Sequence, residues 1–156
     1  MQKALIMIVS YCSSIHQTLR QRYYRQHLSC PDNVSFLGKI KYYGHKKISI
    51  GCGVRFNDGV FLNIGKSLTI EDNVTISANV FITDTTSDVE LLPEHVHVRE
   101  AVLIKKNTWV GAGAIILSGV TVGEGCVIAA GAVLAQSTGD KEVWIGNPAR
   151  KAGNLK

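Results

Sequence analysis

The sequence lacks the cysteine patterns that mark a metal site or a disulfide framework. Its four cysteines are Cys12, Cys30, Cys52 and Cys126, and no two of them form a Cys-x-x-Cys pair. A zinc site is therefore not expected, and buried reduced thiols are the remaining interpretation. Reduced thiols fit a cytoplasmic protein.

The sequence also lacks an apolar run long enough to cross a bilayer. The run from Ala4 to Val9 continues only to Ile15, and no small-residue cleavage site follows it. This segment is either a helix packed on the domain or a contact with a membrane surface. The stretch "RQRYYRQH", Arg20 to His27, leaves a similar choice, because aromatic rings among cations suit a solvated helix face or an anionic, lipid-linked acceptor. Membrane contact would make the protein peripheral at the inner face of the membrane.

Acidic residues are the minority among the charged ones. The chain has 12 Asp and Glu against 17 Lys and Arg, for a formal net charge of +5. This balance favours anionic binding partners such as phosphates or an acidic membrane surface. No recognisable nucleic-acid-binding module is present, so we expect no nucleic-acid partner.

Glycine and proline are absent from Lys3 to His27, which predicts a helix there. Pro31-Asp32-Asn33 predicts a turn after it. With 156 residues, 46% of them apolar, the chain is expected to form one domain with a substantial core.

What the sequence does have is an aliphatic or aromatic residue at every sixth position. The pattern slips by two residues once and has one longer gap. Its starting positions are Ile50, Phe56, Ile64, Ile70, Ile76, Ile82, Val98, Ile104, Val110, Ile116, Val122, Ile128 and Leu134. A period of six fits neither an α-helix nor a simple alternating strand.

Such a period fits a coil of short strands with a corner every six residues. Glycine, Asn and Asp at the corners permit the sharp turns. Three sides would close one turn of about eighteen residues, and turns stacked at roughly 4.8 Å would bury their inward aliphatics in a continuous column. A β-sandwich with chance spacing is the alternative, which so many regular hexads disfavour.

The most specific motif is "NTWVGAGAIILSGVTVGEGCVIAAGAVL" with the ending "IGNPARKAG". These hexads resemble the hexapeptide-repeat acyltransferases, and among them the sugar and polysaccharide O-acetyltransferases. The resemblance implies an all-β fold, a left-handed parallel β-helix of hexapeptide repeats with an N-terminal helical segment. The expected divisions are a helical segment 1–30, a β-helix domain 31–140 with a loop excursion over 84–97, and a tail 141–156.

The resemblance also implies a homotrimer that binds acetyl-CoA, its acyl donor, in a groove between adjacent columns. Outward apolar residues such as Ile115, Leu117 and Val127 agree with a covered surface. The residues implied to line the pantetheine path are Trp109, Gly111, Ala112, Ala129 and Ala130. Small residues suit a narrow groove because they leave backbone exposed to the pantetheine amides, although they could also be merely tight corners.

Three further positions are assigned by the same resemblance. Arg150 and Lys151 would meet the phosphates of the cofactor, or else lie in a solvated tail. Asn57, in "RFNDG", matches a position near the acceptor, where an amide can bond a sugar hydroxyl. Asn-Asp-Gly is equally an ordinary turn signal.

The hexad pattern fails at "FITDTTSDV", Phe81 to Val89. Relatives usually carry a histidine here, which takes the proton from the acceptor as it attacks the thioester. This sequence has Thr85 at the usual histidine position and Ser87 at the next one. Neither hydroxyl can act as a general base at neutral pH.

Two histidines inside the gap could replace the missing base. His95 and His97 would face one way in an extended segment. His97 is favoured because it directly precedes the expected return of the coil at Val98, and Asp84 or Asp88 could fix its tautomer. They could equally be surface histidines. As metal ligands they lack a third partner, and the three-histidine pattern of the gamma-type carbonic anhydrases is absent, so no metal is expected.

We therefore expect an acetyl-CoA-dependent O-acetyltransferase. Its acceptor would be a hydroxyl, or as the second choice an amine, on a sugar in surface polysaccharide or lipopolysaccharide biosynthesis. The candidate catalytic residues are His97, His95, Asp84 and Thr85. The rival interpretation is a catalytically silent CoA-binding or assembly protein that has lost the usual histidine.

Overall fold

The chain begins with a helix and continues as a column of short strands. The computed structural model describes residues 2–87, 93, 94 and 96–156, with side chains described from Ile15 onward. Helix α1 spans Gln2–Leu28, and a turn at Asp32 and Asn33 follows it. Both features were predicted from the sequence and are confirmed. None of the described helices is long and apolar enough to cross a membrane.

Three sheets of parallel strands form the sides of the column. The first sheet is β1 (Ser35–Phe36), β4 (Arg55–Phe56), β7 (Thr75–Ile76), β12 (Trp109–Val110), β15 (Val127–Ile128) and β17 (Glu142–Ile145), with β18 (Arg150–Asn154) added antiparallel. The second is β2 (Lys41–Tyr43), β5 (Phe61–Asn63), β8 (Phe81–Thr83), β13 (Ile115–Ile116) and β16 (Val133–Leu134). The third is β3 (Ile48–Ile50), β6 (Leu68–Ile70), β11 (Val102–Ile104) and β14 (Thr121–Val122), and a 3-10 helix spans His45–Lys47. This solenoid of about five turns fits a left-handed β-helix.

The hexad residues form the core of this column. Twelve of the thirteen predicted starting positions are buried, from Ile50 to Leu134. The exception is Val98, which is 37% exposed. Val98 lies on β10 (His97–Arg99), which pairs antiparallel with β9 (Thr85–Ser87) outside the column. The predicted return of the coil at Val98 is therefore wrong, and the column resumes with β11.

The length of a turn changes along the column. Arg55 pairs with Thr75, twenty residues later, whereas Trp109 pairs with Val127, eighteen residues later. The eighteen-residue turn expected from the hexads therefore holds only between β11 and β16, and the last step, from Val127 to Val143, is sixteen residues. The upper turns carry two more residues between the second and third sheets, as in the eight-residue step between the buried Leu62 and Ile70.

The C-terminal half of α1 closes the upper end of the column, where β1 has no strand above it. The Gln21 amide donates to Phe36 O and accepts from Phe36 N, both at 3.0 Å. The Tyr24 hydroxyl does the same with Ile40 O and N, at 3.2 and 3.1 Å. These contacts pair backbone groups that an open end would leave exposed. The choice between packing and membrane contact for the run from Ala4 to Ile15 stays open, because the side chains of residues 4–14 lie outside the described part of the chain.

The cysteines agree only partly with the expectation of buried thiols. Cys126 is buried, but Cys30 is half-buried and Cys52 is exposed, and all three are free. The side chain of Cys12 lies outside the described part of the chain. Cys52 is exposed because it occupies an outward corner position rather than an inward hexad position.

Candidate functional site

The corner between the first and second sheets carries a row of small residues. In successive turns this corner is formed by Ser77–Asn79, Gly111–Gly113 and Ala129–Gly131, which we call the small-residue edge. Asn79, Gly113 and Gly131 have φ between 57° and 68°, the left-handed conformation that such sharp corners require. A Cβ added to Gly113 or Gly131 would meet nothing within 4 Å, so the edge opens directly to the outside.

Trp109 forms a wall beside this edge. Its indole is 53% exposed, and Nε1 donates to Ser77 Oγ at 2.9 Å. The hydrogen bond crosses from β12 to the corner after β7 and fixes the ring along the outer face of the first sheet. An exposed aromatic ring held in one orientation is a preorganised contact surface.

Gly111 serves the stacking of the turns at this edge. It is buried, and its N–H donates to Ile128 O at 2.7 Å. A Cβ at this position would lie 2.5 Å from Ala130 N, so only glycine permits the close approach. Ala112 and Ala130 are exposed and Ala129 is half-buried, so these three residues form the outer surface of the edge.

Asn57 lies on the same edge, above the small residues. The pairing of β4, β7, β12 and β15 places Asn57, Ser77, Gly111 and Ala129 at equivalent positions of adjacent turns. At roughly 4.8 Å per strand, Asn57 and Ala129 are about 14 Å apart. The structure thus aligns every predicted residue of the groove and Asn57 along one edge. Sequence reasoning missed Ser77, which the hexad register would have placed between Asn57 and Gly111.

A second candidate region lies at the opposite edge of the second sheet, where the chain leaves the column after β8. Asp84 is fully buried there. Its carboxylate accepts hydrogen bonds from the backbone N–H groups of Gly65, Lys66 and Ser67, at 2.7, 2.5 and 2.8 Å. A fourth donor is the Thr85 hydroxyl, at 2.9 Å.

These four donors occupy the acceptor capacity of the Asp84 carboxylate. Burial raises the pKa of Asp84, but the hydrogen bonds from Gly65, Lys66, Thr85 and Ser67 together hold it below its ordinary value. The catalytic role of Asp84 and Thr85 stays a prediction. Both side chains are engaged in a structural clamp between two turns, and no described histidine contacts Asp84.

His97 lies on the antiparallel pair that projects from this second edge. It is exposed, and its Nδ1 is 3.5 Å from Ser87 Oγ on the paired strand. The pair β9–β10 places His97 on a paired strand outside the column. His95 and Asp88 lie outside the described residues. Within one chain, His97 and the small-residue edge are separated by the width of the second sheet.

Two family models match the chain, one on each side of the projecting strand pair β9–β10. A bacterial transferase hexapeptide (six repeats) model matches residues 101–136, and a hexapeptide repeat of succinyl-transferase model matches residues 64–84. The unmatched residues between them, 85–100, contain the antiparallel pair. The two matches therefore cover regular turns on either side of an insertion. The chain therefore carries hexapeptide repeats over 64–84 and 101–136.

Solved structures of acetyltransferases share this fold. A hexapeptide-repeat acetyltransferase from Vibrio cholerae O1 biovar eltor, complexed with acetyl coenzyme A, is 22% identical with a TM-score of 0.74, covering 87% of this chain and 77% of that one. A maltose O-acetyltransferase from Clostridium difficile 630 is 27% identical with a TM-score of 0.69, covering 79% and 67%. A galactoside acetyltransferase in complex with coenzyme A is 26% identical with a TM-score of 0.69, covering 79% and 64%. No curated protein sequence matches significantly.

The tail of this hexapeptide-repeat protein separates its two predicted phosphate-binding cations. Lys151 Nζ pairs with Glu142 Oε1 at 2.6 Å, and this bond, helped by the Trp144 indole N–H, lowers the pKa of Glu142. Arg150 pairs in register with Ile145, which is 49% exposed on the outer face of the first sheet. Directly opposed residues share a face of the sheet, so Arg150 lies on the same side as Trp109. Among the described residues Arg150 has no carboxylate partner, and its Nη1 donates to Ala149 O at 2.9 Å.

Metal ligands do not cluster in the described part of the hexapeptide-repeat protein. Among those residues no group of three His, Cys, Asp or Glu side chains could hold an ion.

Proposed function

We propose that this hexapeptide-repeat protein is an acyltransferase that moves an acetyl group from acetyl-CoA to a hydroxyl of a sugar. The observation that carries the proposal is the open small-residue edge beside the fixed Trp109 indole. The solved structures add support, since one similar protein binds acetyl coenzyme A and the maltose and galactoside enzymes modify sugars.

The donor would lie along the small-residue edge. Ala112, Ala129 and Ala130 leave backbone within reach of the amides of a pantetheine arm, and the indole of Trp109 covers one side. The edge leads towards the strand pair β17–β18, where the Arg150 guanidinium donates one hydrogen bond, to Ala149 O at 2.9 Å, and its other N–H groups would meet phosphate oxygens. Asn57, two turns above Gly111, would bond a hydroxyl of the acceptor.

A complete site would need a second copy of the chain. His97 and the small-residue edge lie at opposite edges of the second sheet. The outer face between them is apolar, with the Phe61 and Phe81 ring centroids 5.2 Å apart at an interplanar angle of 34°, and Ile115 paired beside Phe81 in the next turn. Such a face favours coverage by protein. In the homotrimer that we propose, the edge of one copy would meet the insertion of the next.

His97 is the proposed general base. An acceptor hydroxyl would give its proton to the imidazole while its oxygen forms a bond to the thioester carbonyl carbon. The carbon–sulfur bond then breaks, and the departing sulfur of CoA takes up a proton. The Ser87 hydroxyl, near Nδ1 of His97, would hold the ring orientation.

The donor site is tested by isothermal titration of acetyl-CoA into wild type and Ala130→Trp. The Ala130 side chain is exposed, so the indole should fill the edge without unfolding the column. We expect at least a tenfold loss of affinity, a loss of about 1.4 kcal/mol in binding free energy. Thr69→Trp, an exposed outward position on the third sheet, is the matched control and should bind normally. Unchanged affinity in a folded Ala130→Trp protein would refute the donor site.

A second candidate function is supported by Thr85 and its engagement with Asp84. The protein could bind CoA without turnover, as a binding or assembly partner. A free-thiol assay of CoA release with a panel of mono- and oligosaccharides separates the two functions. Acceptor-dependent release supports the transferase, whereas binding without release supports the silent protein.

A further inference from the structure

The positive charge of this protein is concentrated at the upper end of the column. The first fifty residues contain eight Lys or Arg and one acidic residue, a net charge of +7. The remaining 106 residues contain nine Lys or Arg and eleven acidic residues, a net charge of −2. The first fifty residues form α1 and the first turn, β1 to β3. The whole positive excess therefore belongs to one end of the molecule.

Helix α1 carries an uncovered apolar stripe at the same end. Ile15, Leu19 and Tyr23 follow one another at intervals of four residues and so share a helix face. Their exposed fractions are 43%, 61% and 53%. A different face of the helix, with Tyr24 and Leu28, is buried against the first turn. The stripe is thus a second apolar surface that the column does not cover.

The stripe continues into a group of aromatic rings and cations. The Tyr23 and His27 rings are 4.8 Å apart, and the His27 and His45 rings are 5.7 Å apart. An open cavity of about 460 Å³ borders these rings and is also lined by Lys41 and Tyr43. Tyr43 is 65% exposed. Tyrosine rings beside cations suit the boundary between lipid headgroups and acyl chains.

We propose that this basic end docks on a membrane surface that contains anionic phospholipid. The cations would meet the headgroups, and Ile15, Leu19 and Tyr23 would enter the interface. A soluble polyanion would bind the cations but leave the apolar stripe of α1 exposed to water. A second copy of the same end would bring two clusters of +7 together, which repel each other. The proposal is independent of the acyltransferase assignment.

The test is co-sedimentation of the full chain with vesicles of phosphatidylcholine and with vesicles of mixed phosphatidylcholine and phosphatidylglycerol. Wild type should bind the mixed vesicles and lose binding as salt is raised. Each exposed cation near the surface should contribute roughly fivefold, so Arg22→Gln with Lys46→Gln should weaken binding roughly 25-fold. Leu19→Gln should weaken it about tenfold, because an apolar side chain no longer enters the interface.

Matched controls lie elsewhere on the column. Lys66→Gln with Lys156→Gln removes the same charge from exposed positions outside the basic end, and Leu155→Gln replaces a leucine that is 41% exposed at the lower end. All three changes should leave vesicle binding within twofold. Circular dichroism checks that every variant is folded.

Several results would overturn the proposal. The role of anionic lipid would be refuted if wild type failed to bind mixed vesicles, or if it bound pure phosphatidylcholine equally well. Equal losses of vesicle binding in the control variants would show that binding does not depend on the upper end of the column. Self-association in the absence of lipid that Leu19→Gln abolishes would assign the stripe to a second copy. Inorganic polyphosphate that binds wild type and Leu19→Gln equally and displaces both from vesicles would assign the end to a soluble polyanion.

Discussion

Asp84→Asn is the most direct test of the clamp that joins the second and third turns. The substitution keeps the shape of the side chain and removes its charge. The carboxylate of Asp84 is fully buried and accepts three backbone N–H groups and the Thr85 hydroxyl. An amide has one acceptor oxygen, and its NH₂ group would face donors instead of accepting from them.

The size of the loss follows from the unpaired donors. Gly65 N and the Thr85 hydroxyl share Oδ1, so an Asn oxygen placed there still serves both. The N–H groups of Lys66 and Ser67, which now use Oδ2, would be left without an acceptor. Each unpaired buried donor costs about 1 to 3 kcal/mol, so the loss of both should lower the free energy of unfolding of Asp84→Asn by about 2 to 6 kcal/mol.

Asp72→Asn is the matched control. Asp72 is exposed at another corner, and its Oδ1 accepts a single N–H, from Cys52 at 2.7 Å. An Asn oxygen can accept the same bond, so the expected loss is below about 1 kcal/mol. Urea unfolding followed by far-UV circular dichroism measures both variants. Equal losses for Asp84→Asn and Asp72→Asn would refute the clamp as an energetic feature.

The pH dependence of Asp84 gives an independent check. Its pKa in the folded chain lies below the ordinary value of 3.8, so the ionised form favours folding. This stabilisation is complete above the pKa that Asp84 has in the unfolded chain. It is lost as the pH falls through the pKa of Asp84 in the folded chain. The stability difference between wild type and Asp84→Asn should therefore be constant near neutral pH and shrink in acid. A difference that grows below pH 3.8 would contradict this sign.

Three further predictions concern ligand binding and transfer. Trp109→Phe should weaken acetyl-CoA binding about fivefold by calorimetry, because the ring loses its hydrogen bond to Ser77; equal affinity would show that the bond does not position the ring. Arg150→Gln should weaken acetyl-CoA binding roughly tenfold, while Lys151→Gln should not, since its ammonium is already paired; the reverse order would place the phosphates on the other face. His97→Ala should lower acetyl transfer roughly a hundredfold or more in the free-thiol assay without changing acetyl-CoA affinity, and full activity would remove His97 as the base.

The regular part of the fold could be predicted from the sequence because one inward residue repeats at a fixed interval. The buried series from Ile104 to Leu134 follows the hexads without a break. The alignment of Asn57 with the small-residue edge also follows from hexad register, once the lengths of the turns are known. Periodicity reports the inward face reliably, since burial of an aliphatic side chain contributes about 1.5 to 3 kcal/mol at each step.

The insertion could not be predicted in the same way, because its pairing is antiparallel and outside the column. Val98 has the right residue type and spacing for a core position, yet it pairs with Thr86 on an exposed strand. Nothing in the hexad pattern distinguishes a β-branched residue on such a strand from one in the core. The different surroundings of Lys151 and Arg150 could likewise not be predicted, because Lys151 pairs with Glu142 across the final antiparallel strand pair.

The two irregularities of the hexad pattern are joined by hydrogen bonds. The two-residue slip before Ile64 widens the corner between the second and third sheets, so that the N–H groups of Gly65, Lys66 and Ser67 have no acceptor in their own turn. The next turn supplies that acceptor as Asp84, within the stretch where the hexads fail. A buried carboxylate replaces the aliphatic residue there because three converging N–H groups require an anion rather than a methyl group. The polar stretch "FITDTTSDV" therefore has a structural cause: Asp84 joins two turns at the point where the chain leaves the column for the strand pair β9–β10.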